Sequence, residues 1–286
     1  MDLWRTATNP WGQEVLVGIS WDLLWAAVVA GVAFMLAHWA YVRLWASREI
    51  RSAPVAEPGP VPERVLRHTL ASRLFHWLMA AAMFGLLITA FFPVIGIRFP
   101  WVTIHWIAGL VLLATVIYHV IHSTMWHDFW AMWVGREELR EGVAQLRRFL
   151  GRSVGSKPRA GKYPLDHKLY HHVVALVSVL AILTGLLMMF RVDTPFWARN
   201  PYLLSDGAWG VVYVVHGLSG VALITLVIAH VYFALRPEKW WITLSMINGW
   251  IGRSEYLAHH DPERWKVSPE TSRSRVAAPA EEQPVA

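Results

Sequence analysis

Five apolar runs, each near or above the roughly 20 residues a bilayer core demands, constrain this chain more than any other feature. They cover approximately Leu16–Trp45, Leu74–Phe92, Val102–His122, Tyr170–Phe190 and Val211–Leu235. Backbone N–H and C=O groups in lipid must be satisfied within their own segment, so runs of this length read as helices. The expected fold class is an all-α integral membrane protein with five transmembrane helices. The first run tolerates Asp22 near its start and has neither a basic n-region nor an evident small-residue cleavage site, so it reads as a retained helix and not a signal peptide. A content of 55% hydrophobic and 16% charged residues, with eighteen tryptophans, excludes an ordinary soluble domain.

The basic residues orient the bundle. Six Lys and Arg fall in Arg43–Arg73, eight in Ser123–Leu165 and seven from Arg236 onward, against Arg5 at the N-terminus, Arg98 in the next outer turn, and Arg191 and Arg199 in the last. The positive-inside rule puts the rich segments in the cytoplasm, with the N-terminus outside and the C-terminus inside. The formal charge of +6 therefore reports topology and not a nucleic-acid partner. The localisation this implies is a bacterial cytoplasmic membrane, with lipid as the surrounding partner.

Within that frame two spans repeat one pattern, H-x3-G-x9-H, as His105, Gly109, His119 and as His216, Gly220, His230. Fourteen residues make nearly four helical turns, so each pair lies on one face with its members about 20 Å apart along the axis. Each glycine, one turn past the first histidine, leaves room for a flat macrocycle to approach the backbone. Ionisable groups inside a membrane are costly and usually functional, and imidazoles at two depths of a four-helix bundle suit two haems. The chain has no cysteine, which excludes disulfides, Cys-ligated iron–sulfur clusters and c-type haem attachment and leaves histidine or methionine as ligands. Orientation puts His105 and His216 near the outer face, where they pair around one haem. His230 lies near the inner face with two candidate partners, His76 in the second span and His119. The repeated spacing favours His119.

Several segments together resemble the cytochrome b (gamma) subunit of membrane-bound respiratory formate dehydrogenases, a di-haem cytochrome b family. They are Arg73-Leu74-Phe75-His76-Trp77, His105-x3-Gly109, Gly161-Lys162-Tyr163, Thr184-Gly185, His216-x3-Gly220-x9-His230-x-Tyr232 and His259-His260-Asp261-Pro262-Glu263-Arg264-Trp265. The similarity runs from about Arg67 to Lys266. It implies a four-helix di-haem b bundle with one extra N-terminal helix, an inner haem between His76 and His230, and an outer haem between His105 and His216. His119 then stands where the family needs no ligand. Menaquinone or ubiquinone is implied as exchangeable substrate near the inner haem. There the loop reads Gly161-Lys162-Tyr163-Pro164-Leu165-Asp166-His167, in which Tyr163, Asp166 and His167 are the candidate quinone residues. Arg73 is a candidate partner for a haem propionate, as are Arg98 and Arg191 at the outer ends.

The implied role is electron transfer and membrane anchorage, with no chemistry on this chain beyond quinone reduction. An outer haem calls for a periplasmic iron–sulfur subunit and a molybdenum- or tungsten-containing catalytic subunit, and a higher oligomer of that complex is compatible. Cytochromes b of hydrogenases and of thiosulfate or polysulfide reductases are alternatives. A histidine-rich transporter would place carboxylates beside the histidines in mid-membrane, and the spans lack that pattern. The remaining histidines His38, His122, His171 and His172 sit near the inner face as anchors or as a proton path. Residues 1–50 form the extra N-terminal helix, 51–66 a proline-rich linker, 67–266 the haem domain and 267–286 a disordered tail. Arg136–Leu150 and Glu238–Ile251 read as amphipathic helices on the inner leaflet.

Overall fold

A computed structural model describes residues 3–44, 61–126, 129–149 and 159–267. Five helices in it are long and apolar enough to cross a membrane. They are α1 (Trp21–Leu44), α2 (Leu70–Phe91), α3 (Trp101–Trp126), α5 (Leu165–Met189) and α6 (Asp206–Ala234), with the amphipathic α4 (Arg136–Phe149) between α3 and α5. The all-helical, multi-pass membrane fold expected from hydropathy is the one observed. Of the expected linker at 51–66 and tail at 267–286, residues 51–60 and 268–286 lie outside the described residues, while Arg64–Leu66 of the former form a strand.

The first span begins later than hydropathy suggests. Residues 14–19 form strand β2 (Glu14–Ile19), antiparallel to β1 (Trp4–Thr8). The connection turns at Gly12, φ +79°, while Asn9 Oδ1 accepts hydrogen bonds from the Trp11 and Gln13 amides. Ser20 then receives the Asp22 amide on its hydroxyl and the Leu23 amide on its carbonyl, opening α1.

The chain divides into two compact units. The first takes in residues 1–48, 74–127 and 170–233 and holds most of the five spans. One of its apolar cores joins Ala82, Met83, Leu112 and Leu223 of α2, α3 and α6, with Val177 and Ile182 of α5 packed against it. A second joins Ile19, Leu24, Ala27 and Ile224, seating α1 on α6. Helices associate closely in lipid where side chains are small. A Cβ built on Gly31 would come within 3.0 Å of Ile228, and Thr225 Oγ1 donates to the Ala27 carbonyl at 3.0 Å across the same contact.

The second unit takes in residues 49–73, 128–169 and 234–286. Strand β3 (Arg64–Leu66) pairs antiparallel with β4 (Trp250–Gly252). Val65, Ile251, Tyr256 and Leu257 form its core, with Trp241 and Trp265 packed against them. The segment Glu238–Ile251 is thus not one amphipathic helix. A 3₁₀ turn leads into α7 (Trp240–Asn248), which stops at Gly249 with φ +94°; the strand follows, and then α8 (Arg253–His259). The left-handed glycine ends the helix because most side chains avoid that conformation.

Candidate functional site

Helix α6 presents two histidines to two different neighbours. His216 faces His105 of α3 with ring centroids 6.1 Å apart, and His230 faces His76 of α2 at 6.3 Å. Two imidazoles held trans on one metal, at about 2 Å per metal–nitrogen bond, place their centroids about 6.3 Å apart. Both pairs therefore have room for one iron between them, and the donor set fits bis-histidine haem. Their separation along α6 is about 20 Å, from 1.5 Å of rise per residue. Gly220 opens onto free space, and the nearest atom to a Cβ on Gly109 would be Leu86 Cδ2 at 3.9 Å.

The His105–His216 pair carries a device that sequence reading missed. Thr89 Oγ1 lies 2.7 Å from His105 Nδ1, and Thr184 Oγ1 lies 3.0 Å from His216 Nδ1. Each hydroxyl donates its one proton to its own helix, Thr89 to the Gly85 carbonyl at 2.7 Å and Thr184 to the Leu180 carbonyl at 2.6 Å. Its oxygen is left to accept, so the facing Nδ1 carries the proton and Nε2 keeps a lone pair for a metal. For His216 the Ala181 carbonyl, three residues before Thr184, is a second acceptor, 3.1 Å from Nδ1. The helix pairs α2/α3 and α5/α6 thus repeat one arrangement. Gly185 completes it, since a Cβ there would stand 3.3 Å from His216 Cε1. The sequence signal for Thr89 was faint, a single hydroxyl late in the apolar run of α2.

The His76–His230 pair is bordered by aromatic rings. Tyr170 stacks on His230 at 5.5 Å, its hydroxyl donating to the Leu226 carbonyl at 3.0 Å, and Trp77 lies edge-on to His76 at 5.4 Å. His119 stands elsewhere, stacked on Phe75 at 4.4 Å and edge-to-face with His171 at 6.1 Å. His38 bonds through Nδ1 to the Tyr232 hydroxyl at 3.0 Å, and His122 stacks between Tyr118 and Trp126.

The other expected residues take varied places. In the second unit Arg73 Nη1 donates to the Ile247 carbonyl, while its buried Nε has no partner among the described residues. Tyr163 is half-buried with the Lys162 ammonium 5.4 Å from its ring, Asp166 is exposed in the first turn of α5, and His167 is half-buried. Arg191 donates to the Pro201 carbonyl and lies over Trp209, and Arg98 is exposed.

A buried cluster in this unit was not foreseen. Arg67, only 3% exposed, donates from Nη1 to His260 Nε2 at 3.0 Å, and His260 Nδ1 donates to the Gly161 carbonyl at 2.8 Å. A guanidinium cannot accept, so His260 is the neutral Nδ1–H tautomer. Burial pushes the His260 imidazole down to about 4 and the Arg67 guanidinium down to about 10. Asp261 N also bonds to the Ala160 carbonyl, so the His259–Trp265 segment is tied to the Gly161-Lys162-Tyr163 loop.

These features define a multi-pass membrane protein with paired intramembrane histidines at two levels, the class to which helical cytochromes b belong. The family model for prokaryotic cytochrome b561 matches residues 67–249, and the chain belongs to that family. Relatives include the formate dehydrogenase cytochrome b556 subunit of Haemophilus influenzae, 23% identical over 71% of this chain and 82% of that one. The formate dehydrogenase cytochrome b556(fdo) subunit of Escherichia coli K12 is 24% identical over 71% of this chain and 92% of its own length. Haem binding and electron transport follow from the family.

Proposed function

We propose that this chain is the di-haem membrane anchor and electron-transfer subunit of a formate dehydrogenase-like complex. It links an extracytoplasmic iron–sulfur and molybdenum- or tungsten-containing partner to the quinone pool. The observation that carries this reading is the two facing histidine pairs at 6.1 and 6.3 Å, each with one member on α6. Two b-type haems held by these imidazoles would supply one-electron chemistry.

The chain's own residues do the positioning. His105 with His216 and His76 with His230 are the residues that would hold the two haems, and Gly109 and Gly220 clear the faces beside them. Thr89 and Thr184 hold a proton on each outer Nδ1. Arg73, as a propionate partner, and Tyr163, Asp166 and His167, as the quinone residues, belong to the proposal by resemblance. At the quinone, Asp166 would accept a hydrogen bond and His167 would donate one. The positive-inside count supports an inner membrane location with the N-terminus periplasmic, and the relatives' names support the choice of partner.

A pyridine haemochrome assay on the haem-replete, purified protein tests the reading, which requires two low-spin b haems per chain. His76→Ala should lose one haem and His119→Ala none. Absence of haem from the wild type refutes the proposal, and the reverse pattern in the variants refutes the assignment of the inner ligand.

A further inference from the structure

Helix α4 carries two chemically distinct flanks around one exposed apolar stripe. Leu139, Val143 and Leu146 are 58%, 50% and 58% exposed and follow one another at helical spacing along a single face. At 100° per residue, Arg136, Arg140 and Arg147 line up about 60–100° round the helix from Leu139, forming a row beside the stripe. All three are exposed.

The acidic residues lie on other faces, and two of the three are paired inward. Glu138 accepts from Lys168 Nζ at 2.7 Å and from Arg264 Nη2 at 3.2 Å, Glu141 accepts from Arg264 Nη1, and Glu137 lies 3.7 Å from Arg264 Nε. The helix therefore presents Arg136, Arg140 and Arg147 outward while Glu138 and Glu141 are paired inward and Glu137 stays largely exposed at the edge of that cluster.

The same ion pair ties the helix to the first turn of α5. Lys168 stands in the first turn of α5, where the chain enters its apolar run, and Glu138 binds it with both side chains largely buried. A Cβ on Gly142 would meet Leu165 Cδ2 at 2.7 Å, so α4 lies tightly against that same turn. Trp130 and Trp133, 73% and 50% exposed, lie just before α4 and suit the headgroup level where tryptophan collects.

We propose that α4 lies in the membrane interface and that Arg136, Arg140 and Arg147 form a binding row for anionic lipid headgroups. Leu139, Val143 and Leu146 enter the acyl boundary, and the arginines beside them meet phosphate oxygens at the surface. A basic side chain near an anionic surface gains about fivefold in association, so three acting independently give about a hundredfold preference. The inference does not depend on haem binding or on which face of the membrane is cytoplasmic.

The absence of cysteine from the sequence makes the test clean. The full chain is reconstituted in phosphatidylcholine bilayers carrying spin-labelled phosphatidylglycerol or spin-labelled phosphatidylcholine, and selectivity is read from the motionally restricted fraction. Wild type should prefer phosphatidylglycerol, R136Q/R140Q/R147Q should lose most of that preference, and Arg140→Lys should keep it. In parallel, a spin label on Val143→Cys should be relaxed by oxygen and shielded from an aqueous nickel chelate. Unchanged selectivity in the triple variant overturns the headgroup site. A Val143→Cys label open to the aqueous relaxant, or shielded from both relaxants as under a protein partner, overturns the interfacial placement.

Discussion

Replacing Thr89 by valine keeps the shape of the side chain and removes the oxygen that faces His105 Nδ1 at 2.7 Å. An acceptor on the Nδ1–H pushes electron density toward the metal and favours the oxidised iron, so its loss raises the reduction potential of the haem that His105 would ligate. The bond is charge-assisted when the iron is ferric and nearer neutral when it is ferrous, a difference of about 1 kcal/mol. At 59 mV per tenfold for one electron, that is about 40 mV. The expected rise is therefore up to about 40 mV. Thr184→Val should act in the same direction and more weakly, because the Thr184 contact is longer at 3.0 Å and Ala181 O remains at 3.1 Å. Thr115→Val is the control, since Thr115 Oγ1 donates only to the Leu112 carbonyl in its own helix. An optical redox titration of the purified protein should show one of two haem waves moving up in the first two variants and neither moving in the control. Two unmoved waves, or a shift of equal size in Thr115→Val, would falsify the reasoning.

In Gly31→Val the new side chain would collide with Ile228, whose atoms already stand 3.0 Å from a Cβ at that position, so α1 should loosen from α6. Overpacking of this kind costs about 1–3 kcal/mol, and a lower midpoint for thermal loss of the haem Soret band would register it. Gly185→Ala should displace the His216 ring by a few tenths of an ångström, changing the low-spin EPR signal of one haem without loss of haem content. His260 is held neutral in the fold, well below its ordinary value, so its contribution to stability is complete above about pH 6.5 and is lost as pH falls toward about 4. Thermal midpoints measured across that window should fall less steeply in His260→Gln, and identical slopes would show that His260 carries no such linkage.

The histidine pairing illustrates where reading by period stops. Spacing repeated as x13 pointed to His119 as a partner for His230, yet the fold sets His119 against Phe75 and His171 and brings His76 to His230. A helical repeat says which residues share a face and says nothing of which neighbouring helix that face meets. The resemblance to the gamma subunit favoured His76 because it carried the missing three-dimensional information. In a similar way Leu16–Ile19 looked like the start of a span on hydropathy, whereas β1 pairing and the Ser20 cap moved that start to Trp21.

Sequence alone determined the number of spans, the levels of the histidines and the exclusion of thiolate ligands. Length, hydropathy and residue type are local quantities, and a rise of 1.5 Å per residue converts them directly into depth. Tertiary structure decided which imidazoles face one another, which threonines hold their outer protons, and how Arg67, His260 and Gly161 are tied together. Those contacts join positions from 16 to 193 residues apart, and their geometry exists only once helix faces have packed and buried polar groups have been forced to find partners.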